Sequence, residues 1–182
     1  MGRIEAILLA AGYSSRMGRL KPLLPIGGTT VIRRQAEVLD GLTDRTIVVT
    51  GYRGDEVEAH LSGSRVTTVR NQAFAEGMFT SVKAGILALD QEVSAFLILP
   101  VDYPLVTRSL IEDLIDEFHR SDTPVLYPSF SMRKGHPPVI SADCIPDILS
   151  YQGDAGLKGA LTPFNSEAEY FSAEDETCII DM

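Results

Sequence analysis

Residues 4–25 read Ile-Glu-Ala-Ile-Leu-Leu-Ala-Ala-Gly-Tyr-Ser-Ser-Arg-Met-Gly-Arg-Leu-Lys-Pro-Leu-Leu-Pro, and this stretch decides the fold. Its apolar beginning predicts a buried strand, which opens into a loop with two glycines and three cations within six residues, Arg16, Arg19 and Lys21. The whole chain has a formal net charge of -9, so a local group of cations indicates a local anionic ligand. Backbone N–H groups of such a loop form an anion-binding concavity, and Arg and Lys add charge and direction. The stretch therefore predicts a cradle for a triphosphate.

Two better-known phosphate-binding loops do not match this stretch. A Walker loop has the pattern Gly-x-x-x-x-Gly-Lys-Ser/Thr, whereas five residues separate Gly12 from Gly18. In addition, Lys21 is followed by Pro22. A Rossmann dinucleotide loop requires Gly-x-Gly, whereas Ser14 stands two residues after Gly12. A solvated loop with incidental charge is the remaining alternative, and the ordered set of Gly, Ser, Arg and Lys behind a buried strand disfavours it.

Length and composition indicate one globular domain over residues 1–182, with 45% hydrophobic and 23% charged residues. The negative net charge argues against non-specific binding to nucleic acid or to anionic membranes. No apolar run reaches the length of a membrane span, and the N-terminal run lacks the basic segment of a signal peptide, so we expect a cytoplasmic protein. Cys144 and Cys178 have no metal-binding or redox spacing, and we expect two reduced, packed thiols.

Short apolar runs alternate with helical patterns along the chain. Strands are predicted at 4–10, 46–50, 66–70, 95–100 and 124–127, with an extended excursion at 128–142. Helices are predicted from a Thr30 cap to Leu39, from Gly54 to Leu61, at 78–89, from a Thr107 cap to Phe118, and as two short helices within 143–163. Alternation of this kind specifies an α/β fold with a doubly wound, mostly parallel sheet. In such sheets ligands bind outside the carboxyl ends of the strands.

Asp102 follows the apolar strand at 95–100, in the sequence Pro100-Val101-Asp102-Tyr103-Pro104. A carboxylate just past a central strand lies where the sheet opens to ligand. Mg²⁺ is typically bound by one or two carboxylates together with substrate phosphate oxygens, so Asp102 is a candidate metal ligand. The alternative is an Asp that only forms the turn before Pro104.

A polar segment, Asn71-Gln72-Ala73-Phe74-Ala75-Glu76-Gly77-Met78-Phe79-Thr80-Ser81, follows the third predicted strand. Asn71 offers a donor and an acceptor, which suits the edge of a nucleotide base. Gly77 and Ser81 lie at the start of the next predicted helix, where free backbone N–H groups favour polar ligands. The alternative is an ordinary helix start that binds no ligand.

The pattern Leu9-Ala10-Ala11-Gly12-x-Ser14-x-Arg16-Met17-Gly18-x-x-Lys21-x-Leu23-Leu24-Pro25 resembles the signature of nucleotidyltransferases with the MobA-like fold. The branch that it resembles most is the molybdenum-cofactor cytidylyltransferases. That family joins a CTP-derived nucleotide to the phosphate of molybdopterin and releases pyrophosphate. The resemblance continues through Asp102 and the 71–81 segment, and it implies a Rossmann-like nucleotidyltransferase fold with Mg²⁺ as cofactor.

The resemblance also implies roles for individual residues. The implied catalytic residues are Arg16, Lys21 and Asp102. The implied metal ligands are Asp102 and, near the C-terminus, Asp181. The implied nucleotide-binding residues are Leu9, Ala10, Ala11, Gly12, Ser14, Ser15, Arg16, Met17, Gly18, Lys21, Asn71, Gly77, Ser81 and Pro100.

Two later stretches are similar to segments that the family places near its acceptor substrate. The implied acceptor-binding residues are Gly135, His136, Gly153, Asp154 and Gly156. In that role His136 donates a hydrogen bond to a phosphate or a pterin, although a lone His is more often structural. Asp154 between two glycines is as consistent with a helix cap as with a ligand contact.

We therefore predict an Mg²⁺-dependent nucleotidyltransferase that transfers CMP from CTP to a molybdopterin-type acceptor. Ala10-Ala11-Gly12 is the cytidylyl form of the motif, whereas the guanylyl branch carries Ala-Gly-Gly or similar. One alternative is a transferase of the same fold that uses GTP or another phosphorylated acceptor. Another is a non-catalytic maturation factor that binds nucleotide or cofactor for a molybdoenzyme. A molybdoenzyme or its chaperone is the candidate protein partner, and neither nucleic acid nor a membrane is expected.

Overall fold

The computed structural model describes residues 2–13 and 18–182, and its centre is a sheet with helices on both faces. The strands are β1 (Arg3–Ala10), β2 (Pro25–Ile26), β3 (Thr29–Thr30), β4 (Arg45–Thr50), β5 (Thr67–Arg70), β6 (Val93–Pro100), β7 (Val125–Phe130), β8 (Arg133–Lys134), β9 (Val139–Ser141) and β10 (Glu169–Ser172). The helices are α1 (Val31–Leu39), α2 (Gly54–Ala59), α3 (Met78–Leu87), α4 (Arg108–Arg120), α5 (Ile145–Ser150) and α6 (Gly156–Ala160). Within the described ranges, no helix combines the length and the apolar character that crossing a bilayer requires.

The strand order of the main sheet is β10-β7-β9-β6-β1-β4-β5, and β8 pairs with β7. β1 is parallel to both β4 and β6, and β4 is parallel to β5. β9 is antiparallel to both β6 and β7, so β7 runs in the same direction as β6. β10 in turn is parallel to β7. These pairings confirm the predicted doubly wound, mostly parallel α/β sheet.

All five predicted strands are present, and each bound lies within a few residues of its predicted place. The predicted excursion at 128–142 contains the end of β7 together with β8 and β9. The sequence does not predict β10, because Glu169–Ser172 contains no apolar run and three of its four residues are exposed. An edge strand of this kind depends on pairing with β7 and carries little hydrophobic signal of its own.

Side chains of β1 alternate between two apolar layers, one on each face of the sheet. Leu8 packs in the layer under α1 and α4, whereas Ile7 packs in the layer under α3, α5 and α6. Both side chains are fully buried. A strand that is covered on both faces reads as a continuous apolar run, which is why β1 and β6 are recognisable in the sequence.

The helix boundaries agree with the predictions in part. The cap of α4 is confirmed, since Thr107 Oγ1 accepts a hydrogen bond of 3.3 Å from the backbone N–H of Leu110. Thr30 is the N-cap residue of α1, as predicted, but its hydroxyl accepts no hydrogen bond from α1 and is buried without a partner among the described residues. α2 ends at Ala59 and α3 ends at Leu87, each two residues before the predicted end.

α3 packs closely on the sheet because Gly85 lacks a side chain. A Cβ at this position would lie 2.5 Å from Ile7 Cγ2 and 3.1 Å from Val49 Cγ2. Gly85 therefore sets the distance between α3 and the strands β1 and β4, and it fixes where the first turn of α3 lies relative to the sheet.

We predict that Gly85→Ala lowers the free energy of unfolding by about 1–3 kcal/mol, the usual cost of overpacking a core. Helix propensity alone predicts the opposite sign, because Ala is favoured over Gly in a helix interior by about 1 kcal/mol. Urea unfolding followed by circular dichroism measures the change. Leu87→Ala, on the exposed side of the same helix, is the control and should change stability by less than about 0.5 kcal/mol. A Gly85→Ala protein as stable as the wild type would contradict this close packing.

Candidate active site

The carboxyl ends of β1 and β6 lie side by side in the sheet. Leu9 of β1 is in register with Pro100 of β6, and the backbone N–H of Val101 donates to the Leu9 carbonyl at 3.0 Å. The glycine loop after β1 and the turn that carries Asp102 therefore leave the sheet at the same edge. This confirms the predicted position of Asp102 just past a central strand.

A cleft of about 410 Å³ opens at this edge. Eight residues that the sequence predicts to bind nucleotide or metal line it: Leu9, Ala11, Gly12, Lys21, Gly77, Ser81, Pro100 and Asp102. Six further residues line it that the sequence did not single out: Tyr13, Pro22, Phe74, Ala75, Met78 and Val101. Each of these six lies within or next to one of the predicted segments. Their place in the sequence could therefore have identified them as lining residues.

The remaining predicted nucleotide-binding residues are not among the described residues that line the cleft. Four of them lie outside the described residues, and their roles stay predictions: Ser14, Ser15, Arg16 and Met17. Ala10 is buried in the layer under α1 and α4, so its side chain takes no part in the cleft. Gly18 is exposed and has a φ of 64°, in the left-handed region that favours glycine.

Lys21 and Asp102 meet in the cleft. The Nζ of Lys21 lies 3.0 Å from Oδ2 of Asp102, and it donates to the carbonyl oxygen of Met182 at 2.6 Å. The backbone N–H of Met182 donates to the Asp102 carbonyl at 3.0 Å, so the C-terminal residues lie against this pair. Lys21 begins a short 3-10 turn with a buried Pro22. This turn fixes the backbone position from which the Lys21 side chain extends. A cation and a carboxylate thus face each other where the sequence predicts an anionic ligand and a metal.

The second predicted metal ligand, Asp181, lies near Asp102. The backbone N–H of Met182, the residue after Asp181, donates to the Asp102 carbonyl at 3.0 Å. Burial, followed by the negative charges of Asp181 and then Asp102, raises the pKa of the Tyr103 hydroxyl. In the part of the chain that the structure describes, no group of three or more His, Cys, Asp or Glu side chains is placed to bind a metal ion. One or two carboxylates with space for phosphate and water oxygens are the donor set that Mg²⁺ prefers. Asp102 and Asp181 supply carboxylates of this kind, and their binding of Mg²⁺ stays a prediction.

Asn71 does not line the cleft, and its predicted contact with a base edge stays a prediction. It is 6% exposed, and its Nδ2 donates to Thr80 Oγ1 at 2.8 Å and to Ser81 Oγ at 2.9 Å. Its Oδ1 accepts from the backbone N–H of Ala73 at 2.9 Å. Because both N–H groups are engaged within the protein, the amide connects the end of β5 to the first turn of α3. Asn71 therefore positions Ser81, which lines the cleft.

The first turn of α3 borders the cleft, as the sequence predicts. Gly77 precedes the helix with a φ of 117°, a backbone conformation that residues with a side chain rarely adopt. The backbone N–H groups of a first helical turn have no partner within the helix, and the helix dipole favours an anionic or polar ligand beside them. Gly77 and Ser81 thus lie at a surface suited to the polar groups of a nucleotide.

An aromatic group formed by Tyr13, Tyr52 and Phe74 lies at one end of the cleft. The ring of Tyr13 has its centroid 5.1 Å from that of Tyr52 and 5.2 Å from that of Phe74. A Cβ at Gly51 would lie 2.8 Å from the carbonyl oxygen of Ala11, so glycine permits close packing of the loop on the end of β4. The aromatic group therefore lies close to Ala11, with the rings of Tyr13 and Tyr52 partly exposed to solvent.

Gly135 and His136 pack against the C-terminal segment. The ring of His136 contacts that of Tyr103 with centroids 4.3 Å apart, and its backbone N–H donates to the Cys178 carbonyl at 2.8 Å. Burial lowers the pKa of His136 to about 4, against a smaller opposing effect of the hydrogen bond with the Ile98 backbone, so the ring is neutral near pH 7. A Cβ at Gly135 would lie 2.6 Å from the Cys178 carbonyl oxygen. Both residues therefore pack against the C-terminal segment, and the predicted hydrogen bond from His136 to a phosphate or a pterin stays a prediction.

The second predicted acceptor segment packs against α3. A Cβ at Gly153 would lie 2.3 Å from the hydroxyl oxygen of Tyr151, whose ring meets that of Phe79 edge-on with centroids 5.9 Å apart. Gly156 begins α6 with a φ of 58°. Asp154 is exposed, and no side chain caps α6, so the cap alternative is wrong. Among the described residues that line the cleft, none belongs to the predicted acceptor set, whose role stays a prediction.

Comparison with known proteins gives a family and a relative that match almost the whole chain. A family model described as the MobA-like NTP transferase domain matches residues 6–169. The chain is 32% identical over 181 residues to the molybdenum cofactor cytidylyltransferase of Escherichia coli (strain K12). That match covers 99% of this chain and 90% of the relative.

Two solved structures have a similar fold. A nucleotidyl transferase from Methanothermobacter thermautotroptrophicus has a TM-score of 0.80 and 27% sequence identity, and the match covers 95% of this chain and 88% of that one. The Rv0371c protein of Mycobacterium tuberculosis H37Rv has a TM-score of 0.80, with coverage of 94% and 88%. Its sequence identity of 23% shows the fold alone.

We predict that Lys21→Ala weakens binding of magnesium tripolyphosphate by about 10- to 100-fold, because a charge-assisted hydrogen bond contributes about 1.5–3 kcal/mol. Lys21→Arg should restore only part of the affinity, since a planar guanidinium and a point charge fit phosphate differently. Isothermal titration calorimetry measures the affinity. Lys158→Ala removes an exposed cation outside the cleft and is the control. Unchanged binding in Lys21→Ala would exclude a direct contact with phosphate.

Proposed function

The chain belongs to the MobA-like NTP transferase family, and we propose that it transfers CMP from CTP to the phosphate of molybdopterin with release of pyrophosphate. The observation that carries the proposal is the meeting of Lys21 and Asp102 in a cleft at the carboxyl edge of the sheet. The relative at 32% identity is a molybdenum cofactor cytidylyltransferase, which supports this choice of nucleotide and acceptor.

In this proposal the triphosphate lies between Lys21 and the glycine loop. Backbone N–H groups after Ala11 donate to phosphate oxygens, and the ammonium of Lys21 leaves Asp102 to offset their charge. Arg16, in the same loop but outside the described residues, has the same predicted role. The ion pair of Lys21 with Asp102 is partly exposed, and phosphate and metal replace each partner's lost contact with another charge.

Transfer needs positioning and charge neutralisation rather than covalent participation of the protein. The acceptor phosphate attacks the α-phosphorus of CTP in line, and pyrophosphate leaves. The second pKa of a phosphate monoester is about 6, so the nucleophile is already ionised near neutral pH and requires no general base. Asp102 and Asp181 are the residues that would hold Mg²⁺, whose contribution when bound is to neutralise charge on the phosphate oxygens.

Ala11 supports CTP over GTP. It lines the cleft beside Gly12 and is buried, and a Cβ at Gly51 would lie 2.9 Å from the Ala11 methyl carbon and 2.8 Å from Phe74 Cβ. A methyl group held in this way cannot move aside for a larger ligand. The space left beside it disfavours a purine more than a pyrimidine.

We predict that kcat/KM for CTP exceeds that for GTP by about 10- to 100-fold, since pocket discrimination of this kind corresponds to about 1–3 kcal/mol. The measurement is pyrophosphate release with each of the four NTPs, with and without molybdopterin, and with Mg²⁺ present or chelated. Ala11→Gly should lower the ratio of kcat/KM for CTP to that for GTP, because it removes the methyl group from the cleft. Ala10→Gly removes a methyl group from the other face of the sheet and should leave the ratio unchanged.

Each other outcome of this assay identifies a different function. Equal or faster turnover with GTP would place the protein in the guanylyl branch. Pyrophosphate release with a different phosphate monoester, and none with molybdopterin, would identify that monoester as the acceptor instead of molybdopterin. Binding of CTP and molybdopterin without any release of pyrophosphate would favour a non-catalytic maturation factor.

A further inference from the structure

The hairpin of β7 and β8 sends two neighbouring cations to opposite faces of the sheet. In its antiparallel ladder Phe130 pairs with Arg133, and Ser129 pairs with Lys134. Paired residues lie on the same face, and successive residues alternate between faces. Phe130 packs against the apolar layer under α1 and α4, so Arg133 lies on that face.

Lys134 has aromatic partners on the other face. Its Nζ lies 3.6 Å from the ring centroid of Tyr127 and 5.5 Å from that of Tyr170, and the two rings stack with centroids 5.8 Å apart. Tyr127 belongs to the layer under α3, α5 and α6, which agrees with the alternation. The charge of Lys134 is therefore engaged by cation–π contacts within the protein.

Arg133 is exposed, and within the part of the chain that the structure describes its side chain makes no hydrogen bond, ion pair or ring contact. The hairpin follows the carboxyl end of β7, which runs in the same direction as β6 and therefore ends at the edge where the cleft opens. An Arg at this place in a chain of net charge -9 presents its guanidinium to solvent at the ligand-binding edge.

Arg133 lies near the Asp102 side of the cleft. Tyr103, the residue after Asp102, packs against the same apolar layer as Phe130, the cross-strand partner of Arg133. The ring of His136, three residues after Arg133, contacts the Tyr103 ring with centroids 4.3 Å apart. The segment after β8 also hydrogen-bonds to the C-terminal residues, through the His136 N–H and the Cys178 carbonyl, and Met182 hydrogen-bonds to Asp102. The hairpin therefore lies on the side of the cleft that carries Asp102.

This side of the cleft needs a cation if an anionic acceptor is to bind there. Its carboxylates repel a phosphate monoester, which carries a charge of about -1.5 to -2 near pH 7, and the neutral ring of His136 offers no compensation. We propose that Arg133 binds the phosphate monoester of the acceptor substrate. A guanidinium can hold two oxygens of that group and leave the third free to attack. The inference rests on the proposed function and assigns its acceptor-binding residue.

The test compares Arg133→Gln with Lys134→Gln, which removes the neighbouring charge from the opposite face. At saturating CTP and Mg²⁺, Arg133→Gln should raise the KM for molybdopterin by about 10- to 100-fold, the loss expected for a charge-assisted hydrogen bond. The KM for CTP should stay unchanged, which also shows that the variant is folded. Arg133→Lys should recover part of the effect, and Lys134→Gln should change the KM for molybdopterin by less than about threefold.

Calorimetric binding of molybdopterin to the same proteins separates failure of this inference from failure of the proposed function. Turnover by the wild type with an unchanged KM in Arg133→Gln overturns the role of Arg133 and leaves the transferase proposal in place. Binding that Arg133→Gln abolishes, without turnover by the wild type, supports the role of Arg133 and overturns the proposed transfer. If the wild type neither binds nor converts molybdopterin, both are overturned.

Discussion

The parallel pairing of β1 with β6 is the constraint on which the candidate site depends. With Leu9 in register with Pro100, the chain leaves both strands at one edge, and one backbone hydrogen bond from Val101 joins the two exits. Apolar layers cover both faces, and a slip of one residue would move every side chain of β1 to the opposite layer. The register is therefore fixed by burial, and it places the start of the glycine loop beside the turn that carries Asp102.

The opposite charges of Lys21 and Asp102 give the cleft its chemistry. The two side chains are 17% and 34% exposed, so water screens their attraction and the pair is open to ligand. A triphosphate competes for Lys21 and a divalent cation competes for Asp102, and both exchanges replace one charge contact with another. Asn71 and Gly85 act at a distance from this pair, because they fix the first turn of α3 at the edge of the cleft.

The sequence predicts the buried part of the fold and the residues that follow buried strands. Asp102 is recognisable because a long apolar run precedes it, and the same is true of the glycine loop. The direction of a side chain at a segment end is not predictable in this way: Asn71 points into the protein because Thr80 and Ser81 supply its acceptors. Likewise, the sequence does not show why glycine is needed at positions 135 and 153. In the structure Cys178 and Tyr151 occupy the space that a Cβ at these positions would take. The face of the sheet on which Arg133 lies is also not predictable from the sequence. It follows from the pairing of Arg133, in the two-residue strand β8, with Phe130 of β7.

The central claim is that Lys21 and Asp102 together bind a nucleotide and its metal at the carboxyl edge of β1 and β6. A crystal structure with α,β-methylene-CTP and Mn²⁺ tests it most directly, because anomalous scattering locates the metal independently of the nucleotide. The account predicts an anomalous peak within coordination distance of the Asp102 carboxylate, and Lys21 Nζ displaced from Asp102 onto a phosphate oxygen. Nucleotide bound elsewhere, with the contact between Lys21 and Asp102 intact and no metal at Asp102, would contradict it.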